Sequence, residues 1–300
     1  MSLTLEEALK RVPMWRDRTD LDPKPLTGGI TNRNYRMDVD GESFVLRLSG
    51  ENTELLGIHR PSEWAANKAA AELGLAPEAV YFIEPEGCLV TRFIEGEPIP
   101  AEAMSEERWL AQVAASLHRY HTRGPLLVSR FDIFEVIASL TRVGREHSGL
   151  FPVDFDWLME QVRAVEAAFA RQPYLPRPCH NDLLTANFLN AGGKLVILDW
   201  EYAGMGDETF DLANFSHHHS LDDDQVRFLL GAYYGQASER RFARLKLMEP
   251  LSDLREALWG TVQTGISTLD EDFAGYAEQW YARAAAAFAD PRFSGWLVLS

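Results

Sequence analysis

Cysteine is scarce in this chain. Two are present in 300 residues, Cys88 and Cys179, with no C-x-x-C pair, so no disulfide framework holds the fold together. Long apolar runs are missing, and none reaches the roughly 20 residues that cross a bilayer. The opening MSLTLEEALK carries acids where a secretory leader needs an apolar core. Positive charge is short as well. Twenty-nine Lys and Arg stand against 45 Asp and Glu, a formal net charge of −16. That balance argues against nucleic-acid or anionic-membrane partners and suits a cationic ligand. There is no internal repeat and no low-complexity tract. The expectation is a cytoplasmic protein with reduced thiols.

What is present is ample for a large core: 46% of the residues are hydrophobic. Thr4 and Glu7 have capping-box spacing, so a short helix starts near residue 4 and ends at Pro13. NYRMDVDGESFVLRLSG reads as two strands joined at Asp40-Gly41. Ser62 is placed to cap a helix through EWAANKAAAELG, with Gly74 as its stop. AVYFIEPEGCLVTRFI is a second hairpin around Pro85 to Gly87. EGEPIPAE, residues 95 to 102, is the natural linker. Beyond it helical periodicity dominates. SEERWLAQVAASLHRYHTRG is amphipathic, a helix covers about 154 to 171, and after 221 nearly everything is helical. There ASERRFARLKLMEP and LREALWGTVQTGI read as separate helices. The chain is therefore α+β, with a small antiparallel-sheet lobe over 1–95 and a larger helical lobe over 96–300.

The densest chemistry lies in HNDLLTANFLNAGGKLVILDWEY, residues 180 to 202. A loop leads into a short strand, Gly192-Gly193 turns it, and a second strand ends at Asp199. The hairpin puts Asn187 and Asp199 at the open ends of their strands. Amide and carboxylate oxygens suit a hard Mg²⁺ ion that also binds phosphate. Asp182 supplies a carboxylate able to accept a hydroxyl proton. The set meets the needs of metal-assisted phosphoryl transfer. Upstream, Gly28 and Gly29 in LTGGITN let backbone approach phosphates, and Thr31 and Asn32 add donors. In FVLRL, Phe44, Leu46 and Leu48 share one face, and Arg47 lies on the other. A charge inside a strand wants a partner. Glu63 is the candidate, although a Glu in a first helical turn is also favoured by the dipole alone.

HNDLLTAN followed by ILDWEYAGMGDETFDLANF resembles the choline/ethanolamine kinase family, relatives of the aminoglycoside phosphotransferases with a protein-kinase-like fold. The resemblance spans about residues 26 to 290. It implies an ATP- and Mg²⁺-dependent small-molecule kinase with Asp182 as base and Asn187 and Asp199 as metal ligands. It further implies His180 as support for the loop, Glu201 beside metal and substrate, and Asp211 as an anchor from below. GG-x-TN becomes the phosphate loop, and Arg47 the residue that neutralises phosphate. Arg92, Phe93 and Ile94 become the backbone stretch that meets adenine between the lobes. The acceptor it implies is a small cationic amino alcohol, choline or ethanolamine, held by aromatic side chains. Trp259 and Tyr276 match such positions, and ordinary core packing is the other reading of both. Three residues before Trp259 the family often has an aromatic. Here Glu256 stands, and a carboxylate there suits ethanolamine, whose ammonium donates hydrogen bonds. Thiamine or an aminoglycoside is the alternative acceptor, and a non-catalytic nucleotide-binding pseudokinase the alternative from another class.

Overall fold

The computed structural model describes residues 3–26 and 32–300. Helix α1 (Leu5–Arg11) begins at the Thr4 capping box: Thr4 Oγ1 accepts the Glu7 N–H, and the Glu7 carboxylate takes the Thr4 N–H in return. Then come β1 (Lys24–Leu26), β2 (Arg33–Val39) and β3 (Glu42–Leu48). The β2–β3 hairpin turns on Asp40 and Gly41, both at positive φ (53° and 81°), the conformation a two-residue type I′ turn requires. After α2 (Arg60–Glu72), strands β4 (Ala79–Ile83) and β5 (Cys88–Arg92) complete an antiparallel sheet of order β1-β2-β3-β5-β4. Phe44, Leu46 and Leu48 are buried on one face, with Met37, Val90 and Trp15 in the same core cluster.

Two expectations for this region need correction. Helix α2 is not capped by Ser62. It starts earlier, with His59 as N-cap, its imidazole accepting the Ser62 N–H at 3.2 Å and Pro61 in the first turn. Proline is favoured there because its missing N–H would have no helical partner. Residues 95–102 are more than a linker, since Glu97–Pro98 forms strand β6.

The chain continues with α3 (Glu107–Arg123), β7 (Arg130–Phe131), α4 (Ile133–Glu146), α5 (Phe155–Phe169) and β8 (Arg177–Cys179). Strands β9 (Phe188–Ala191) and β10 (Lys194–Ile197) then form a hairpin, and β6 pairs with β9 on its other edge. Next come β11 (Gly204–Gly206), parallel to β7 and antiparallel to β8, and five helices: α6 (Glu208–His218), α7 (Asp223–Tyr234), α8 (Glu239–Ile266), α9 (Phe273–Phe288) and α10 (Phe293–Leu299). Two compact units result. The first comprises Met1–Ile99 with Ala186–Tyr202, the second Pro100–Thr185 with Ala203–Ser300. A division at residue 95 leaves out the β9–β10 hairpin that the first unit takes in.

Helix α8 overturns a second boundary. It is one 28-residue helix with Pro250 inside, where two helices were expected. Proline removes one helical hydrogen bond and crowds the preceding turn. Residues 247–263 are nonetheless buried without a break, and α8 packs on α4, α6 and α9, which outweighs that cost. Among the described residues, no helix is long and apolar enough to cross a membrane.

Candidate active site

In the first unit the β9–β10 ladder decides where Asn187 and Asp199 lie. Ile197 pairs with Phe188, and the Leu198 N–H donates to the Asn187 carbonyl at 2.9 Å. Asp199 is thus the next residue after the one bonded to Asn187. Its φ is +56°, a left-handed conformation that Asp and Asn tolerate better than most side chains. Its side chain is one-third exposed (33%), whereas Asn187 is buried. An amide and a carboxylate at the open end of one hairpin form an oxygen donor set of the kind Mg²⁺ takes.

Asp199 heads a chain of alternating charge. Arg47 Nη1 lies 3.5 Å from Asp199 Oδ1 and also pairs with Glu63. Arg60 Nη1 donates to Glu63 Oε2 at 2.8 Å and to Glu201 Oε2 at 3.0 Å. Asn32 Nδ2 donates to Glu201 at 2.9 Å, while Asn32 Oδ1 accepts from Arg60 and from the Gly50 N–H. Burial disfavours the Arg47 charge, but Glu63, with Asp199 and Glu201, more than offsets this, and the guanidinium is held more firmly protonated than usual. Burial likewise opposes ionisation of Glu63, yet Arg47 and Arg60 hold its carboxyl below the ordinary range. Arg60 went unnoticed in the sequence. The signal was there: a cation at the start of a helix opposes the dipole and needs a specific acid to hold it.

The network engages two residues expected at the site. The Asn32 amide donates to Glu201 and accepts from Arg60 and from the Gly50 N–H. Glu201 is 5% exposed, and its Oε2 is bound by Asn32 and Arg60. Gly28, Gly29 and Thr31 lie outside the described residues. At the adenine stretch, the Arg92 N–H donates to the Glu78 carbonyl and the Phe93 N–H to the Ser43 carbonyl, both at 2.9 Å. These two amides are engaged by backbone carbonyls. The Arg92 guanidinium is held by Glu42 and Glu78.

In the second unit, Asp182 sits in the loop after β8. Asp211, on α6, fixes that loop: its two oxygens accept the N–H groups of His180 (2.8 Å) and Asn181 (2.6 Å), and His121 Nε2 lies 2.9 Å from Oδ2. His180 Nδ1 accepts the Asp182 N–H at 3.2 Å, and the Leu183 N–H donates to Asn214 at 2.6 Å. Burial alone would raise the Asp211 pKa, but its hydrogen bond with His121 leads the effects that hold it below the usual carboxylate range. His121, Cys179 and Asp211 bring ligand atoms close together. Burial pushes the Cys179 thiol well up, and the Asp211 oxygens are engaged by His121 and by the His180 and Asn181 N–H groups, so Asp211 acts as a loop clamp.

Arg255 Nη1, on α8, donates to Asp182 Oδ1 at 2.9 Å and also to Glu256 Oε1. Tyr276 Oη, on α9, donates to Glu256 Oε2 at 2.8 Å. Tyr276 belongs to a cluster of packed rings. Trp259 and Tyr276 have centroids 5.6 Å apart, Tyr276 and Trp280 5.9 Å, and His218 and Trp280 4.8 Å. Glu256, Trp259 and Tyr276 are therefore neighbours, as their helix positions suggested. Glu256 is held ionised by Arg255 despite burial, while burial and Glu256 push the Tyr276 phenol well up. Arg255 was also missed, although it precedes Trp259 by one helical turn and so shares its face.

A five-stranded antiparallel sheet in one unit, a helix-rich second unit and an H-x-D-x(4)-N motif over residues 180–187 make a protein-kinase-like fold of the small-molecule kinase class. The chain belongs to the choline/ethanolamine kinase family, whose sequence pattern matches residues 24–230. It is 28% identical to the protein LicA of Haemophilus influenzae, over 83% of this chain and 75% of that one. Its fold is similar to a choline/ethanolamine kinase family protein from Mesorhizobium loti, with TM-score 0.83, 29% identity, and 98% and 97% of the two chains covered. The choline kinase LicA of Streptococcus pneumoniae follows at TM-score 0.76, 25% identity, and 89% and 94% coverage. Glu256, Trp259 and Tyr276 lie beyond the matched stretch of the family pattern, so their role rests on geometry.

Proposed function

We propose that this protein transfers the γ-phosphoryl group of ATP to the hydroxyl of choline or ethanolamine. The observation that carries the reading is a pair of acid-rich networks, each joined by shared guanidiniums. In the first unit, Asp199, Glu63 and Glu201 face two guanidiniums, Arg47 and Arg60. In the second, Asp182 and Glu256 share one, Arg255. Oxygen ligands suit a metal ion in the first network, and aromatic rings suit an organic ammonium in the second.

Asn187 and Asp199 would hold Mg²⁺, which when bound neutralises charge on the phosphate oxygens. Arg47, oriented by Glu63, adds positive charge on the nucleotide side. Trp259, Tyr276 and Trp280 receive the ammonium group, and Asp182 orients the acceptor hydroxyl. The alcohol O–H bond breaks toward the Asp182 carboxylate as the oxygen bonds to the γ-phosphorus, and the bond to the β–γ bridging oxygen breaks to leave ADP. Between the two amino alcohols, Glu256 supports choline. Both its oxygens already accept hydrogen bonds from Arg255 and Tyr276, and a quaternary ammonium asks for none.

A coupled assay of ADP release against choline, ethanolamine, thiamine and an aminoglycoside tests the reading. Turnover is expected with choline and, at lower kcat/KM, with ethanolamine. Turnover confined to thiamine or the aminoglycoside, or none at all, contradicts it.

A further inference from the structure

We infer that Arg255 is a positioning residue for phosphoryl transfer, holding the Asp182 carboxylate in the orientation that takes the acceptor proton and linking it to the acceptor pocket. The inference rests on the reading of Asp182 as the base. Asp182, Arg255 and Glu256 are 6%, 2% and 3% exposed. One guanidinium nitrogen, Nη1, serves both acids, at 2.9 Å from Asp182 Oδ1 and in direct contact with Glu256 Oε1. The Asp182 backbone is fixed separately, by His180 Nδ1 on its N–H and by the Asp211 clamp on the two preceding residues. Backbone anchoring does not set side-chain torsion, whereas a charge-assisted hydrogen bond to one oxygen does.

The sharing gives Arg255 a second consequence. Glu256 carries the Tyr276 hydroxyl on its other oxygen and lies among the rings of Trp259, Tyr276 and Trp280. Arg255 thereby links the Asp182 carboxylate to the acid beside the proposed acceptor rings, and its guanidinium stays protonated throughout.

The test measures kcat and both KM values on the full chain for wild type, Arg255→Lys, Arg255→Met, Arg255→Ala and Asp182→Asn, with thermal melts of each. Arg255→Met is expected to lose at least about tenfold in kcat, the lower part of what a general base supplies, with KM for ATP within about twofold of wild type. Arg255→Lys should recover part of that loss. Millimolar guanidinium should raise kcat of Arg255→Ala and leave wild type unchanged. A folded Arg255→Met with wild-type kcat overturns the inference, as does a loss confined to KM for ATP. Arg255→Met removes the shared cation from two buried carboxylates. If it does not fold, Arg255→Lys decides alone: a clear fall in kcat at unchanged KM for ATP supports the inference, and wild-type kcat overturns it. Asp182→Asn separates the two claims. If it is inactive while Arg255→Met is not impaired, only the inference about Arg255 fails. If it keeps kcat, the base assignment itself fails.

Discussion

Asp199 illustrates what a single residue contributes and risks. It lies two residues past the end of β10 in a left-handed conformation, one-third exposed, with Arg47 at 3.5 Å. Asp199→Asn keeps the shape and removes the charge, so folding should change little while turnover falls at least about a hundredfold, because charge neutralisation dominates phosphoryl transfer. Turnover within twofold of wild type at saturating Mg²⁺ would sink the assignment. Tyr276→Phe is the subtler change. It keeps the ring and removes the 2.8 Å hydrogen bond to Glu256, freeing an oxygen for a primary ammonium. A net hydrogen bond of about 0.5–1.5 kcal/mol should move the kcat/KM ratio toward ethanolamine by about two- to tenfold. An unchanged ratio would show that the acceptor does not meet Glu256. At this scale the sequence was informative where a residue type broke its local pattern. Arg47 in an apolar strand and the polar run at 180–187 stood out at once. The fate of Asn32 and Glu201 did not, because their partners are up to 169 residues away in the chain.

Elements were legible where periodicity and punctuation agreed. The hairpin at Asp40-Gly41 and the amphipathic α3 needed only local signals. Helix α4 was passed over, because IFEVIASLTRVGRE is rich in β-branched residues, although Ile133, Ile137, Leu140 and Gly144 recur at helical spacing. Its start is nonetheless well defined, with Asp132 Oδ1 accepting the N–H groups of Phe134 (3.0 Å) and Glu135 (3.3 Å). Asp132→Ala should lower stability by about 0.5–2 kcal/mol in urea titration without changing turnover at low temperature. A midpoint equal to wild type would mean that tertiary packing alone sets the start of α4. Helix α8 shows the opposite failure. Its local signal, Pro250, argued for a break, and burial on nearly every side overrode it.

For the whole molecule, two buried histidines dictate how stability responds to acid. Burial pushes His218 down to about 3 and His219 down to about 4. In the unfolded chain both take up a proton near the ordinary histidine value of about 6.5. The unfolded state then binds more protons, so stability is full above that value and is lost as pH falls toward the folded values, by up to about 1.4 kcal/mol per pH unit for each ring. Urea midpoints should drop between pH 6.5 and 4.5, and His219→Gln should flatten the slope. A profile that stays level over that interval contradicts the neutral buried state of these rings. The triplet at 217–219 was visible in the sequence, but its burial follows from the packing of α6 on α8, which no local pattern encodes.

The central claim is phosphoryl transfer to an amino alcohol through Asp182. Phosphorus NMR on ATP, Mg²⁺ and choline follows the phosphorus itself. With wild type, the γ-phosphate resonance should disappear as a phosphomonoester resonance and ADP grow in equal amount, and with Asp182→Asn the ATP signals should persist. Release of inorganic phosphate at the same rate with and without choline, or an unimpaired Asp182→Asn, would contradict the account.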